Sequence, residues 1–131
     1  MEIKDYIGRP VSWNDLKCLA IRHGKQDIVV KLYSLNPEEY DLFFSDGCSM
    51  WPDEWRIWNK KYDLSTACFW HDIRYYLGGP TEERQTADAQ LYSDVFMLAG
   101  FLMARTMYAG VRVGGWIPGT GFEWGYGRLK K

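Results

Sequence analysis

The residues of this chain best suited to acid–base chemistry are His71 and Asp72, its one adjacent His–Asp pair, set in Cys68-Phe69-Trp70-His71-Asp72-Ile73-Arg74-Tyr75. Neighbouring residues of a helix point about 100° apart, so one member can face a substrate while the other faces a nearby loop. Tyr75 falls one turn beyond His71 on the same face. Further along, Asp88 stands between Ala87 and Ala89, two small residues that let a facing helix come close. A carboxylate that reaches a histidine ring nitrogen fixes its tautomer, stabilises the imidazolium and makes the ring an oriented general base. Asp72, pointing elsewhere, is then available to a hard cation, which prefers oxygen ligands.

Two antiparallel helices have to position these groups. Ser65 is a potential cap for the first, which carries Ala67, Cys68, His71, Ile73, Tyr75 and Tyr76 and ends at Gly78-Gly79-Pro80. Thr81, followed by Glu82 and Glu83, opens the second, with acids where the helix dipole favours them. Ala87, Leu91, Val95, Leu98 and Leu102 line one side of it, and the pattern runs to about Tyr108. A Gly-rich tail follows from Gly110. The short Gly-Gly-Pro turn makes the two helices pack side by side.

The flanks are plainer. In residues 1–44, Ser12 can cap a helix through Trp13, Leu16, Leu19, Ala20 and His23 that Gly24 stops, or the apolar runs around residues 22–27 can pair as a hairpin. Ile28 to Tyr33 is short and β-branched and reads as a strand, with a turn at Asn36-Pro37 and a second strand over Tyr40 to Phe44. Residues 45–63 read as loop. The class expected is therefore α+β, one domain over 1–131, with a β-containing N-terminal part, a helical hairpin over 64–109 and a Gly-rich tail.

The run Ala67 to Tyr75 resembles the active-site helix of phospholipase A2 enzymes, in which cysteine, two residues, His-Asp, two residues and tyrosine recur. Arg84-Gln85-Thr86-Ala87-Asp88 is similar to the second helix of that superfamily, including its prokaryotic and parvoviral branches. The likeness covers about residues 45–108. It implies that His71 deprotonates a water that attacks the sn-2 ester of a glycerophospholipid, that Asp88 orients His71, and that Tyr75 hydrogen-bonds Asp88. It also implies that Asp72 ligates Ca²⁺, which polarises the carbonyl and stabilises the oxyanion.

The chain departs from that pattern in two places. The candidate calcium loop, Asp46-Gly47-Cys48-Ser49, holds one glycine and lies well ahead of His71, so Asp46, Gly47 and Ser49 join Asp72 as a less complete ligand set. Ala67 stands where secreted relatives have a cysteine, so the fold leans less on disulfides; Cys48–Cys68 is the pair to test for a bridge. The competing expectation is a non-enzymatic structural or interaction protein, such as a phage virion or prophage component, that keeps the hairpin. A third pattern, His23, His71-Asp72 and a later Asp88 or Asp94, mimics the order of metal phosphohydrolases, but its last gap is too short. His23 reads as a turn or surface residue, Asp94 as solvent-facing or capping, and Arg84 as a partner of Glu82, Glu83 or Asp88 before a lipid phosphate.

Composition narrows the partners. Lys plus Arg number 16 against 17 Asp plus Glu, a net charge of −1, so the chain lacks the basic excess of a nucleic-acid binder. A 47% hydrophobic share excludes a disordered chain. With 7 Trp, 9 Tyr and 6 Phe, rings fill the core and leave a few, among Trp51, Trp55, Trp58, Trp70, Trp116 and Trp124, for the rim of a phospholipid surface. Lys60-Lys61 and Lys130-Lys131 would assist there. The first ten residues lack the apolar run of a signal peptide, so the expectation is synthesis in the cytoplasm and delivery outward by lysis, a virion or a secretion machine. Cytosolic calcium is too scarce for an open site of this kind.

Overall fold

The computed structural model describes residues 3–45, 64–114 and 124–128. Among the described residues five α-helices dominate: α1 (Trp13–Arg22), α2 (Gln26–Ser34), α3 (Ser65–Leu77), α4 (Thr81–Ala99) and α5 (Phe101–Gly114). Two-residue strands β1 (Pro10–Val11) and β2 (Phe43–Phe44) pair antiparallel, Pro10 opposite Phe44 and Val11 opposite Phe43. The chain is thus α+β in the loose sense, mostly helical with a small sheet.

Helix α3 is the axle. From Ala67 to Leu77 every residue except Asp72 is buried, as expected of a helix packed on all sides. Its Phe69, Trp70, Ile73, Tyr76 and Leu77 face a core shared with Leu16, Leu19 and Ala20 of α1, Ile28 and Leu32 of α2, Val11 and Phe43. Its Leu64 and Cys68 end joins Leu91 and Val95 of α4 and Ala104 and Met107 of α5 in a second core. Cys68 is disulfide-bonded and Cys18 carries a free thiol; Cys48, the other half of the expected bridge, lies outside the described residues.

Local signals account for several boundaries. The Ser12 hydroxyl accepts from the Asp15 amide and caps α1. Helix α3 stops at Gly78, where φ is +69°, a conformation that favours glycine. The C-terminal segment clasps this end. The amides of Gly125 and Gly127 donate to the carbonyls of Tyr75 (2.7 Å) and Tyr76 (3.1 Å), and the Trp124 indole donates to Gly79 O at 2.8 Å. The approach requires glycine: a Cβ at Gly127 would sit 2.1 Å from the Tyr76 ring, and one at Gly78 would sit 2.7 Å from Gly125 Cα.

Four expectations are corrected. Ile28 to Tyr33 is not a strand but the body of α2, because Ile28 and Leu32 recur one turn apart on its buried face while Val30 and Tyr33 face solvent. Burial on a helical period outweighs β-branching here. Ser65 does not cap α3; Leu64 holds the cap position with no side-chain bond. The second helix does not continue to Tyr108. It ends at Ala99, Gly100 takes φ +87°, and the chain reverses into α5. Leu98 and Leu102 are consequently exposed, whereas Ala87, Leu91 and Val95 are buried. The tail does not begin at Gly110, since α5 runs through Gly110 to Gly114.

Candidate active site

The reversal at Gly100 brings three helices onto one carboxylate. Asp88, on α4, is fully buried (0% exposed), and both of its oxygens are occupied. Oδ1 lies 2.8 Å from His71 Nε2 and accepts the Tyr75 hydroxyl at 2.7 Å. Oδ2 accepts from Arg112 Nη1, on α5, at 2.9 Å. His71 and Tyr75 come from successive turns of α3, with ring centroids 4.4 Å apart. Arg84, also buried, donates through Nε to the Tyr75 oxygen at 3.1 Å and through Nη2 to the Arg112 carbonyl at 2.5 Å. That carbonyl belongs to the last turn of α5, where no intrahelical donor remains and a cation is favoured.

These contacts dictate where the protons sit. A guanidinium can only donate, so the Tyr75 oxygen accepts from Arg84 and its single proton goes to Asp88. Burial alone would raise the Asp88 pKa, but bonds from His71, Tyr75 and Arg112 outweigh it and hold the group below 3.8. Asp88 is therefore a carboxylate and accepts only. His71 Nε2 must then carry the proton, and Nδ1 keeps its lone pair. Burial lowers the His71 pKa below 6.5 against the pull of Asp88, with Arg74 and Arg84 adding to the effect, so the ring is neutral at neutral pH. Burial first, then the Asp88 charge, raises Tyr75 and keeps it a phenol. Among the described residues no hydrogen-bond partner takes up Nδ1. The arrangement is a neutral, oriented imidazole with a free basic nitrogen, backed by a carboxylate whose own charge is met by Arg112.

Asp72 goes the other way. Only half-buried, it accepts the Ser45 hydroxyl through Oδ2 at 2.6 Å, and its backbone carbonyl accepts from the Tyr126 hydroxyl at 3.3 Å. Asp46, Gly47 and Ser49 lie outside the described residues. Calcium takes about six to eight oxygens; Asp72 and Ser45 match it in kind but fall short in number, and no group of three or more His, Cys, Asp or Glu is assembled among the described residues.

The remaining candidates are spread. Exposed His23 packs its ring 5.6 Å from that of Trp70, which is buried in the core. Asp94 accepts from Gln90 at 3.0 Å. Trp124 meets the Tyr75 ring edge-on at 5.1 Å, and Trp51, Trp55, Trp58 and Trp116 lie outside the described residues. Arg84 pairs with none of Glu82, Glu83 or Asp88 directly, reaching Asp88 through Tyr75 and through Arg112. Arg112 is the residue that sequence reasoning missed, having been assigned to the tail. Its signal was symmetry: Asp88 and Arg112 are equally far from Gly100.

Searches against models of known protein families, curated proteins and solved structures return no match for this chain.

Proposed function

We propose that the chain is a hydrolase in which His71 draws a proton from water as that water attacks an ester carbonyl. The observation that carries the reading is the 2.8 Å contact of His71 Nε2 with a fully buried, fully bonded Asp88, which leaves Nδ1 as base. In the first step Nδ1 takes the water proton while the oxygen adds to the carbonyl carbon. The imidazolium so formed sits against the Asp88 charge. It then returns the proton to the departing alkoxide, and the acid and alcohol leave. Tyr75, Arg84 and Arg112 hold Asp88 in place and charged throughout.

The lipid class rests on the resemblance of Cys68 to Tyr75 and of Arg84 to Asp88 to the phospholipase A2 helices, and the substrate proposed is the sn-2 ester of a glycerophospholipid. Asp72, with Asp46, Gly47 and Ser49, would hold Ca²⁺, whose chemistry is to polarise the ester carbonyl and stabilise the oxyanion. One observation favours a second reading, a scaffold that retains the hairpin: Ser45 already occupies an oxygen of Asp72. Fatty-acid release from mixed micelles with calcium separates the two. The hydrolase reading expects release by the native chain and none by His71→Ala; equal, background release from both would leave the scaffold.

A further inference from the structure

We propose that the tip of the α4–α5 hairpin is a membrane-docking surface that inserts into the headgroup region of a phospholipid bilayer. Phe96, Met97, Leu98, Phe101 and Leu102 all stand exposed around Gly100, Met97 at 81% and Leu102 at 78%. The choice of a bilayer as partner rests on the lipid reading above and on three features of the tip itself.

The first is shape. One residue, Gly100, reverses the chain between two helices that pack along their length, as the Tyr92–Tyr108 ring contact (6.0 Å) and the Asp88–Arg112 pair record. The apolar side chains therefore gather at the end of a helical hairpin, on the last turn of α4 and the first turn of α5, a narrow end of the kind that can enter a fluid interface. The second is charge. From Val95 to Ala104 no residue is charged. Behind this stretch Asp94 is tied to Gln90, while exposed Arg105 stands at the shoulder, where lipid phosphates would meet it. The third is area. Such a tip offers on the order of a few hundred Å² of apolar surface, less than the ~800 Å² per partner of a standard protein interface, but enough for insertion about 5–10 Å deep. Asp88 lies twelve residues back along α4, about 18 Å at helical rise, so the tip anchors the chain without drawing the buried carboxylate into hydrocarbon.

Vesicles of phosphatidylcholine with a minor share of phosphatidylglycerol are the probe, and co-flotation is the readout. His71→Gln protein, which would not degrade the vesicles, is compared with the same protein carrying Met97→Asp and Leu102→Asp. Both tip positions are exposed, and circular dichroism melting checks that folding is kept. The proposal expects a loss of vesicle affinity of about tenfold or more. Introduced into the native chain, the same pair leaves hydrolysis of a soluble short-chain ester unchanged. Undiminished co-flotation of the double variant overturns the proposal, and so does a dimer in gel filtration that the pair dissolves, since the occupant is then a second copy. Should the native chain fail to hydrolyse the soluble ester while flotation still depends on the tip, the hydrolase reading falls and the docking surface stands.

Discussion

Asp88 and Arg112 lie 24 residues apart in sequence, with Gly100 midway, and their side chains meet at 2.9 Å. The reversal that places them together also supplies a counter-charge to a carboxylate with no access to water. An ionised group in that position is sustained only when its bonds are complete.

Arg112→Met leaves Asp88 with one oxygen unbonded and its charge less compensated. Because the Arg112 side chain is 34% exposed, solvent screening reduces the penalty below that of a fully buried pair, to about 1–3 kcal/mol. Urea unfolding measures it. Asp88→Asn in the same background should recover part of the loss, a non-additivity that a double-mutant cycle reads directly.

Arg84→Met removes the donor that obliges the Tyr75 oxygen to accept. Tyr75 keeps its bond to Asp88, but its oxygen and the Arg112 carbonyl lose a buried donor, costing about 2–4 kcal/mol. Tyr75→Phe costs about 1–2 kcal/mol by the same reasoning. Both should lower ester turnover more than a distant substitution of equal stability cost, because both loosen the carboxylate behind His71. Comparing kcat at matched folded fractions checks this.

Stability should depend on pH in a way that His71→Gln partly abolishes. The folded His71 pKa lies below its ordinary 6.5 because of burial, so between the two values the unfolded chain binds the extra proton. Stability therefore rises with pH through that window and levels off above about 6.5. Asp88 acts lower: its contribution is complete above 3.8 and is lost as pH falls through its depressed folded value. Melting temperature against pH for the native chain and His71→Gln shows whether the upper limb disappears. The acid limb of hydrolysis should likewise fall below pH 6.5.

Gly127→Ala places a methyl within van der Waals overlap of the Tyr76 ring and should destabilise by about 1–3 kcal/mol or release the C-terminal clasp. Gly8→Ala is the control. Its φ is +83° but nothing lies within 4 Å, so only the backbone strain of about 1 kcal/mol applies. Thermal denaturation of the two variants compares them.

What was legible in the sequence was the near-range part. The His71–Tyr75 spacing, the Gly-Gly-Pro stop and the small residues flanking Asp88 are local signals, and the side chains of all three proposed members meet. What escaped depended on distant packing. The β-branched run in α2 turned helical because its partners bury one helical face, and Gly100 reversed the chain where periodicity alone showed an unbroken stripe. Arg112 was invisible for that reason: no helix-period argument connects residues 24 apart until the fold-back is known. The expected calcium ligands Asp46, Gly47 and Ser49 lie outside the described residues, while Asp72 turns to Ser45 and His71 to Asp88, as adjacent helical positions point apart.

The most direct measurement is long-range ¹⁵N–¹H correlation of the imidazole rings at neutral pH. The chain has two histidines, and His71→Gln assigns their signals. The account predicts that His71 is neutral, protonated at Nε2, with Nδ1 bearing a lone pair. A proton on Nδ1, or an imidazolium at pH 7, would contradict it.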